Sequence, residues 1–353
     1  MISRQQTMFR VAVLRRLNNP LDFAEVEIPS QLLPGQVLVR VLRSGICASQ
    51  VHEIKGRKGN DPYLPHALGH EGVGEVVDFG PGVSRFKKGQ LVVMHWRESK
   101  GMSVAGSSYS DKSGNKINIG PITTLSEYSL VSENRLTLLP KGFPLDYAPL
   151  LGCALLTGFG AVTREANVRP GESCLILGLG GVGISVLKTL KLLSACPITV
   201  VEISSEKLQL AERLGADVTI LVDPNENNLG SLLSQRGVSS PDVVFECTGQ
   251  RSLIEQTISV VSPHGRVLLI GVPDVNNPSS IHTLPLHLGI SLLGSHGGAS
   301  EPHIDIPKIS KLVDSGYLSL DDYPLEKFGF EDLNNAMAKL EQGVLGRVIV
   351  HMS

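Results

Sequence analysis

The stretch ILGLGGVG, Ile176 to Gly183, places Gly178, Gly180 and Gly183 in a G-x-G-x-x-G spacing directly after an apolar run. On its own the spacing is weak, because glycine-rich turns are common. Its surroundings make it decisive. Cys174 to Leu177 has the composition of a buried strand, and Val182, Val186, Leu190 and Leu193 recur every three or four residues, which predicts a helix. Glu202, 19 residues beyond Gly183, ends the next strand-like run. In that context Gly178 allows a tight turn, Gly180 lets backbone approach a pyrophosphate, and Gly183 permits close helix–strand packing. Gly181 and Val182 open the helix whose free N–H groups face the anion. The carboxylate of Glu202 is suited to a ribose diol and repels a 2′-phosphate, so NAD is expected rather than NADP. Lys207 on the following helix either reaches the ribose or is a solvated helix charge.

Working outward, apolar runs at Ile198 to Val201, Val218 to Val222, Val243 to Phe245, Val267 to Ile270 and Ile290 to Leu293 alternate with helix-length segments. That alternation predicts a parallel sheet covered on both faces. Residues 8 to 150 have a different texture, with short β segments between Gly and Pro: Val37 to Val41, Gly74 to Val77, Leu91 to Met94 and Glu127 to Val131. This predicts a barrel-like β unit. After Gly297 come helical patterns at Ile306 to Ser315 and Phe330 to Glu341 and a terminal strand, Val348 to Val350. Arg97 to Gly120 reads as a long polar loop.

At 353 residues the chain exceeds what one core usually organises, so two domains are expected. A formal charge of -2 gives no electrostatic footprint for nucleic acid or an anionic membrane. No apolar run is long enough to span a bilayer, and MISRQQTMFR lacks the apolar segment of a secretory signal, so a cytoplasmic location is expected. The 5 cysteines are odd in number and scattered, unlike a disulfide framework, which leaves reduced thiols available as ligands.

Three of the possible ligands are Cys47 in ICASQVHE, His70 in GHEGVGEV and Cys153 in LLGCALLTGFG. Together they would make a three-donor zinc site with an open fourth position, the arrangement of catalytic zinc. The competing reading makes Cys47 and Cys153 buried apolar thiols and His70 a core histidine. Two thiolates and a neutral imidazole leave Zn(II) formally uncharged, and such an ion acidifies a bound alcohol so that its alkoxide can lose hydride to a nicotinamide.

With Cys-x-Ser-x-x-His at Cys47, Ser49 and His52, Gly-His-Glu at 69 to 71, Gly-Cys at 152 and 153, and the glycine loop in this order, the chain resembles the zinc-dependent medium-chain dehydrogenase/reductase (alcohol dehydrogenase) superfamily over nearly its whole length. The resemblance implies an α/β protein with a GroES-like β-barrel catalytic domain, residues 1–154 and 297–353, and a Rossmann doubly wound NAD-binding domain, residues 155–296. It implies zinc on Cys47, His70 and Cys153, an alcohol proton taken by Ser49 and passed on to His52, and Glu71 behind the metal. Thr157, Val272 and Arg347 match positions that contact the nicotinamide end or the pyrophosphate, and Trp96 matches a wall of the substrate pocket.

The sequence departs from the family in three places. Arg97 to Gly120 has no cysteine where many relatives hold a structural zinc, so one zinc per chain and no structural zinc is expected. Gln50 stands where relatives have an Asp behind the ligand histidine, and is expected to take the His70 imidazole N–H. The charged run HWRESKGMS, His95 to Ser103, suggests a polar or sugar-like alcohol. The expected partners are thus a small alcohol or carbonyl compound and a second copy of the chain, a dimer joined through the edge run Ile290 to Leu293. Competing functions are a zinc-free quinone or enoyl reductase of the same superfamily and a catalytically silent NAD-binding protein. The three retained ligands count against the first, and the pair Ser49 and His52 against the second.

Overall fold

The computed structural model describes residues 8–223 and 228–352. Most of the N-terminal segment read above for a signal lies outside the described residues. The chain divides into two compact units, one of Met1–Cys153, Glu301–Ser310 and Leu325–Ser353, the other of Ala154–Ser300 and Lys311–Pro324.

In the second unit, the strands among the described residues form one six-stranded parallel sheet. Numbered within that sheet by chain order, they lie 3-2-1-4-5-6, starting from Cys174–Leu177 at the centre and ending at the edge strand Ser291–Gly294. This is the dinucleotide-binding order, whose switch point falls beside the first strand. All four residues of Cys174–Leu177 are buried, as a strand covered on both faces requires. Leu175 and Leu177 share a core with Val201, Ile220, Val244 and Val267. The expected strands appear within a residue or two of where the apolar runs place them.

The first unit is built on the long strand Gln36–Ile46. It pairs antiparallel with Glu71–Phe79, Tyr128–Ser132 and the terminal strand Arg347–His351, so the end of the chain completes a sheet begun near its start. Val37, Val39 and Val41 enter one core while Leu38 enters another, the alternation that a strand's period of two imposes. The segment expected as a loop contains a hairpin, Ser107–Ser110 with Lys116–Ile119. Asp111 makes its turn by accepting backbone N–H groups from Ser113 and Asn115, at 2.9 and 2.8 Å. Tyr109, Ile117 and Ile119 anchor the hairpin in the second of those cores.

Candidate active site

Cys47 precedes the short helix Ala48–Ile54, His70 precedes the strand Glu71–Phe79, and Cys153 follows the 3-10 turn Ala148–Gly152. Gly152 sets that turn against the sheet. A Cβ on it would lie 2.4 Å from the Met94 carbonyl oxygen and 2.9 Å from Glu71 Cα, so only glycine lets Cys153 come this close. One ligand atom from each of Cys47, His70 and Cys153 falls within 4.8 Å of the others. The sulfurs interact directly: a hydrogen bond from Cys153, opposed by burial, pulls the Cys47 thiol well below its ordinary range, and Cys153 is pushed well above its own. Two soft sulfurs and one imidazole nitrogen around a common point are a zinc donor set.

Behind this set, Glu71 is fully buried and ion-paired with Arg347, itself 4% exposed. Burial raises the Glu71 carboxyl, with the Arg347 charge opposing the rise. Arg347 was expected at the cofactor. It supplies the counter-charge for this carboxylate, because the terminal strand that carries it is paired next to Gln36–Ile46 in the same sheet.

Gln50 has a different partner from the one expected. It is the third residue of the helix that Cys47 precedes, and its Oε1 accepts the Cys47 backbone N–H at 2.8 Å. A side-chain acceptor at that position naturally serves the exposed N–H at the helix start. The amide oxygen therefore holds the backbone of a thiolate residue rather than the His70 ring, and its Nε2 is buried without a partner. Ser49 and His52, three residues apart, share one face of this helix and are half-buried.

Trp96 is half-buried beneath the Arg97 guanidinium, 5.7 Å from the ring centre. The charges of His95 to Ser103 are largely engaged within the protein. His95 is buried between the Arg97 carbonyl oxygen at 2.7 Å and the Thr137 hydroxyl at 2.9 Å, and burial lowers its pKa to about 3. Glu98 pairs with Arg135 at 2.9 Å.

In the second unit, Gly178, Gly180, Glu202 and Lys207 line one cleft of about 340 Å³ together with Asp223, Thr248 and Gln250. Thr157, buried in the helix Ala154–Gly160, and Val272, 47% exposed, are not among its lining residues. Gly178 has φ +88°, and a Cβ on Gly183 would lie 2.2 Å from the Gly178 carbonyl oxygen. A Cβ on Gly180, which caps the helix Gly181–Leu192, would meet nothing within 4 Å. Thus Gly183 is required by packing, whereas Gly180 keeps open a space that the protein does not fill. The Glu202 carboxylate accepts N–H groups from Leu179 and Ile203, at 2.7 and 2.8 Å, and lies 3.7 Å from Lys207 Nζ. It therefore braces the glycine loop as well as facing the cleft.

These glycines separate binding from folding. Gly180→Ala is expected to leave urea stability within about 0.5 kcal/mol of wild type, and, if the cleft takes the dinucleotide that the glycine spacing suggests, to weaken NAD binding at least about 10-fold, since the new methyl would occupy the space a pyrophosphate needs. Gly183→Ala is expected to lose stability as well, and paired urea and NAD titrations distinguish the two.

Sequence reading gave no role to Glu246, fully buried at the end of a central strand of this sheet, where it accepts the Thr248 N–H at 2.7 Å and the Gly249 N–H at 3.1 Å. Its acidic character beside an apolar strand was the available signal. It also missed Asp61 and His66, which join Glu53 along a cavity of about 660 Å³ that His70 and Gln50 also line.

Residues 33–141 match the family profile described as "Alcohol dehydrogenase GroES-like domain", and residues 181–315 match "Zinc-binding dehydrogenase". The chain is 28% identical to "Alcohol dehydrogenase-like 2" of Arabidopsis thaliana, the match covering 97% of this chain and 96% of that protein. Among solved structures it resembles an alcohol dehydrogenase zinc-binding domain protein from Burkholderia ambifaria, with 25% identity, a TM-score of 0.88, and coverage of 99% of this chain and 100% of that one. Its fold also matches benzyl alcohol dehydrogenase from Acinetobacter calcoaceticus, with 23% identity, a TM-score of 0.86, and coverage of 98% and 100%. The sheet order around the glycine loop, the β unit closed by the terminal strand and these two profiles agree, and the chain belongs to the zinc-type medium-chain dehydrogenase/reductase superfamily.

Proposed function

We propose that this dehydrogenase oxidises an alcohol to an aldehyde or ketone, or runs the reverse reaction, with one thiolate-bound zinc per chain and NAD. The observation that carries the reading is the convergence of Cys47, His70 and Cys153 within 4.8 Å, a donor set that suits zinc. When bound, zinc lowers the pKa of an alcohol and nicotinamide accepts its hydride. In this reading Cys47, His70 and Cys153 hold the metal, and Ser49 takes the proton from the alcohol oxygen. His52, on the same helical face, passes it on. Glu71, paired with Arg347, fixes the electrostatics behind the ligands. Gly178, Gly180 and Gly183 admit the pyrophosphate, and Glu202 selects NAD by repelling a 2′-phosphate.

No helix among the described residues is long and apolar enough to cross a membrane, and all five cysteines are free. We place the protein in the cytoplasm on these grounds. A dimer through the edge strand Ser291–Gly294 is supported by the exposed Leu284 and Leu288 just before it in the chain.

The test is NADH formation across an alcohol panel, read together with metal content. Turnover with zinc bound is expected. Bound NAD with neither zinc nor turnover identifies a silent binder, and quinone or enone reduction without zinc identifies the other branch of the superfamily.

A further inference from the structure

We propose that Glu53, Asp61 and His66 form a second divalent-cation site, built of oxygen and nitrogen donors and separate from the thiolate set. Glu53 lies on the helix Ala48–Ile54, Asp61 in the loop that leads on from it, and His66 at the start of the two-residue strand His66–Ala67. One donor atom from each falls within 4.8 Å of the others. His66 Nε2 is 2.8 Å from Asp61 Oδ2 and 3.7 Å from Glu53 Oε1. Ligands roughly 2.1 Å from one ion, at angles of about 90 to 110°, stand roughly 3.0 to 3.4 Å apart, so these separations bracket those of a coordinated set.

The outer partners give the cluster its character. Each group turns one atom inward and has its other atom held by something outside the trio. Nδ1 of His66 is 3.0 Å from the Ala67 carbonyl oxygen. A carbonyl only accepts, so Nδ1 carries the proton and Nε2 is left to face the carboxylates. Asp61 Oδ1 accepts the Tyr63 N–H at 2.9 Å, leaving Oδ2 inward. Glu53 Oε2 takes the Lys58 ammonium at 2.8 Å, leaving Oε1 inward. Metal-binding histidines and carboxylates are oriented by outer hydrogen bonds of this kind. A cation held between them would take the place of the direct contact between Nε2 and Asp61 Oδ2.

The trio borders the cavity that His70 and Gln50 also line, so positions not taken by protein are open to water or to a ligand oxygen. Gln50, 1% exposed, borders the same cavity, and its amide Nε2 has no hydrogen-bond partner among the described residues. Two carboxylates with one neutral imidazole balance a divalent charge. The mixture of hard oxygen and imidazole nitrogen suits Mn²⁺ or Zn²⁺ and is unlike the sulfur-rich first site.

Mn²⁺ distinguishes the two sites, because it prefers oxygen donors to thiolates. The experiment adds Mn²⁺ to the full chain with its thiolate site filled by zinc, and follows free Mn²⁺ by electron paramagnetic resonance. About one Mn²⁺ per chain is expected at micromolar metal, with affinity lowered at least about 10-fold in Asp61→Asn and in His66→Ala. Cys174→Ser, which belongs to neither donor set, is expected to bind Mn²⁺ as wild type does. Glu53→Gln, close in shape to the native side chain, gives a second variant should His66→Ala fail to fold. Absence of Mn²⁺ binding below millimolar concentration overturns the proposal, as does unchanged affinity in both Asp61→Asn and Glu53→Gln. Because the readout is metal occupancy, the outcome is independent of whether any alcohol is oxidised.

Discussion

Cys47→Ser is expected to lose the thiolate-bound metal and to lower alcohol oxidation by on the order of 10³-fold or more, the rate equivalent of several kcal/mol of charge stabilisation. An alcohol oxygen develops negative charge as it becomes an alkoxide, and beside this donor set only a bound cation compensates it. The hydroxyl of serine is a harder donor than a thiolate and far less acidic than a thiol, so two of the three ligands remain and the soft-metal site fails. The other cysteines supply controls for the loss of a thiol as such. Cys174 is buried, and burial raises its pKa to about 12. Burial likewise pushes the Cys247 thiol well above its ordinary range. Neither belongs to the trio of Cys47, His70 and Cys153. Cys174→Ser and Cys247→Ser are therefore expected to keep both metal and turnover. Substituting Co²⁺ makes the test spectroscopic: the sulfur-to-cobalt charge-transfer band present in wild type and both controls should be missing in Cys47→Ser. A band of undiminished intensity together with wild-type zinc content rules Cys47 out as a ligand, since Cys153 alone could account only for a weaker one.

What the sequence made legible was whatever depended on local pattern. Cys174 to Leu177 is buried on both faces, so it reads as an unbroken apolar run, and the glycine spacing after it follows from the close approach of Gly183 to the Gly178 carbonyl. The convergence of Cys47, His70 and Cys153 was legible through the family resemblance that singled them out, since residue type alone left buried thiols and a core histidine as a competing reading. What escaped was choice of partner. Arg347 and Glu71 are 276 residues apart, and their ion pair exists because the terminal strand is inserted beside Gln36–Ile46. No local pattern encodes that strand order. Gln50 was assigned by analogy to His70, although its position, three residues after Cys47, carries the signal of a helix start. The hairpin at 107–119 was hidden by its polar exposed positions, although the Asp-x-x-Gly-Asn turn and the alternation through Lys116 to Ile119 were there to be read. Glu53, Asp61 and His66 are irregularly spaced, and turns of no simple periodicity bring them together.

The pair Arg347–Glu71 leads to an asymmetric prediction. With side chains 5% and 0% exposed, neither charge has much access to water. Removing one member of such a pair typically costs about 3 to 5 kcal/mol, because it leaves an uncompensated buried charge. The two single changes are not equivalent. A guanidinium cannot shed its proton in a protein, so Glu71→Gln leaves a permanent buried cation without its carboxylate and is expected to incur most of that cost. A carboxylate left alone can take up a proton, and burial already raises the Glu71 pKa in the intact pair. Arg347→Met is therefore expected to cost less than Glu71→Gln at neutral pH. The double variant, with neither charge left, should be more stable than Glu71→Gln alone, so the cycle shows a coupling energy of at least about 1 kcal/mol. Urea unfolding of the wild type, both singles and the double, at one fixed zinc concentration and followed by a probe of the β unit, measures all four corners. If Glu71→Gln proves no more costly than Arg347→Met, or if the two changes simply add, the carboxylate and guanidinium are not a mutually compensating pair, and the electrostatic support assigned to them behind Cys47 and His70 must come from elsewhere.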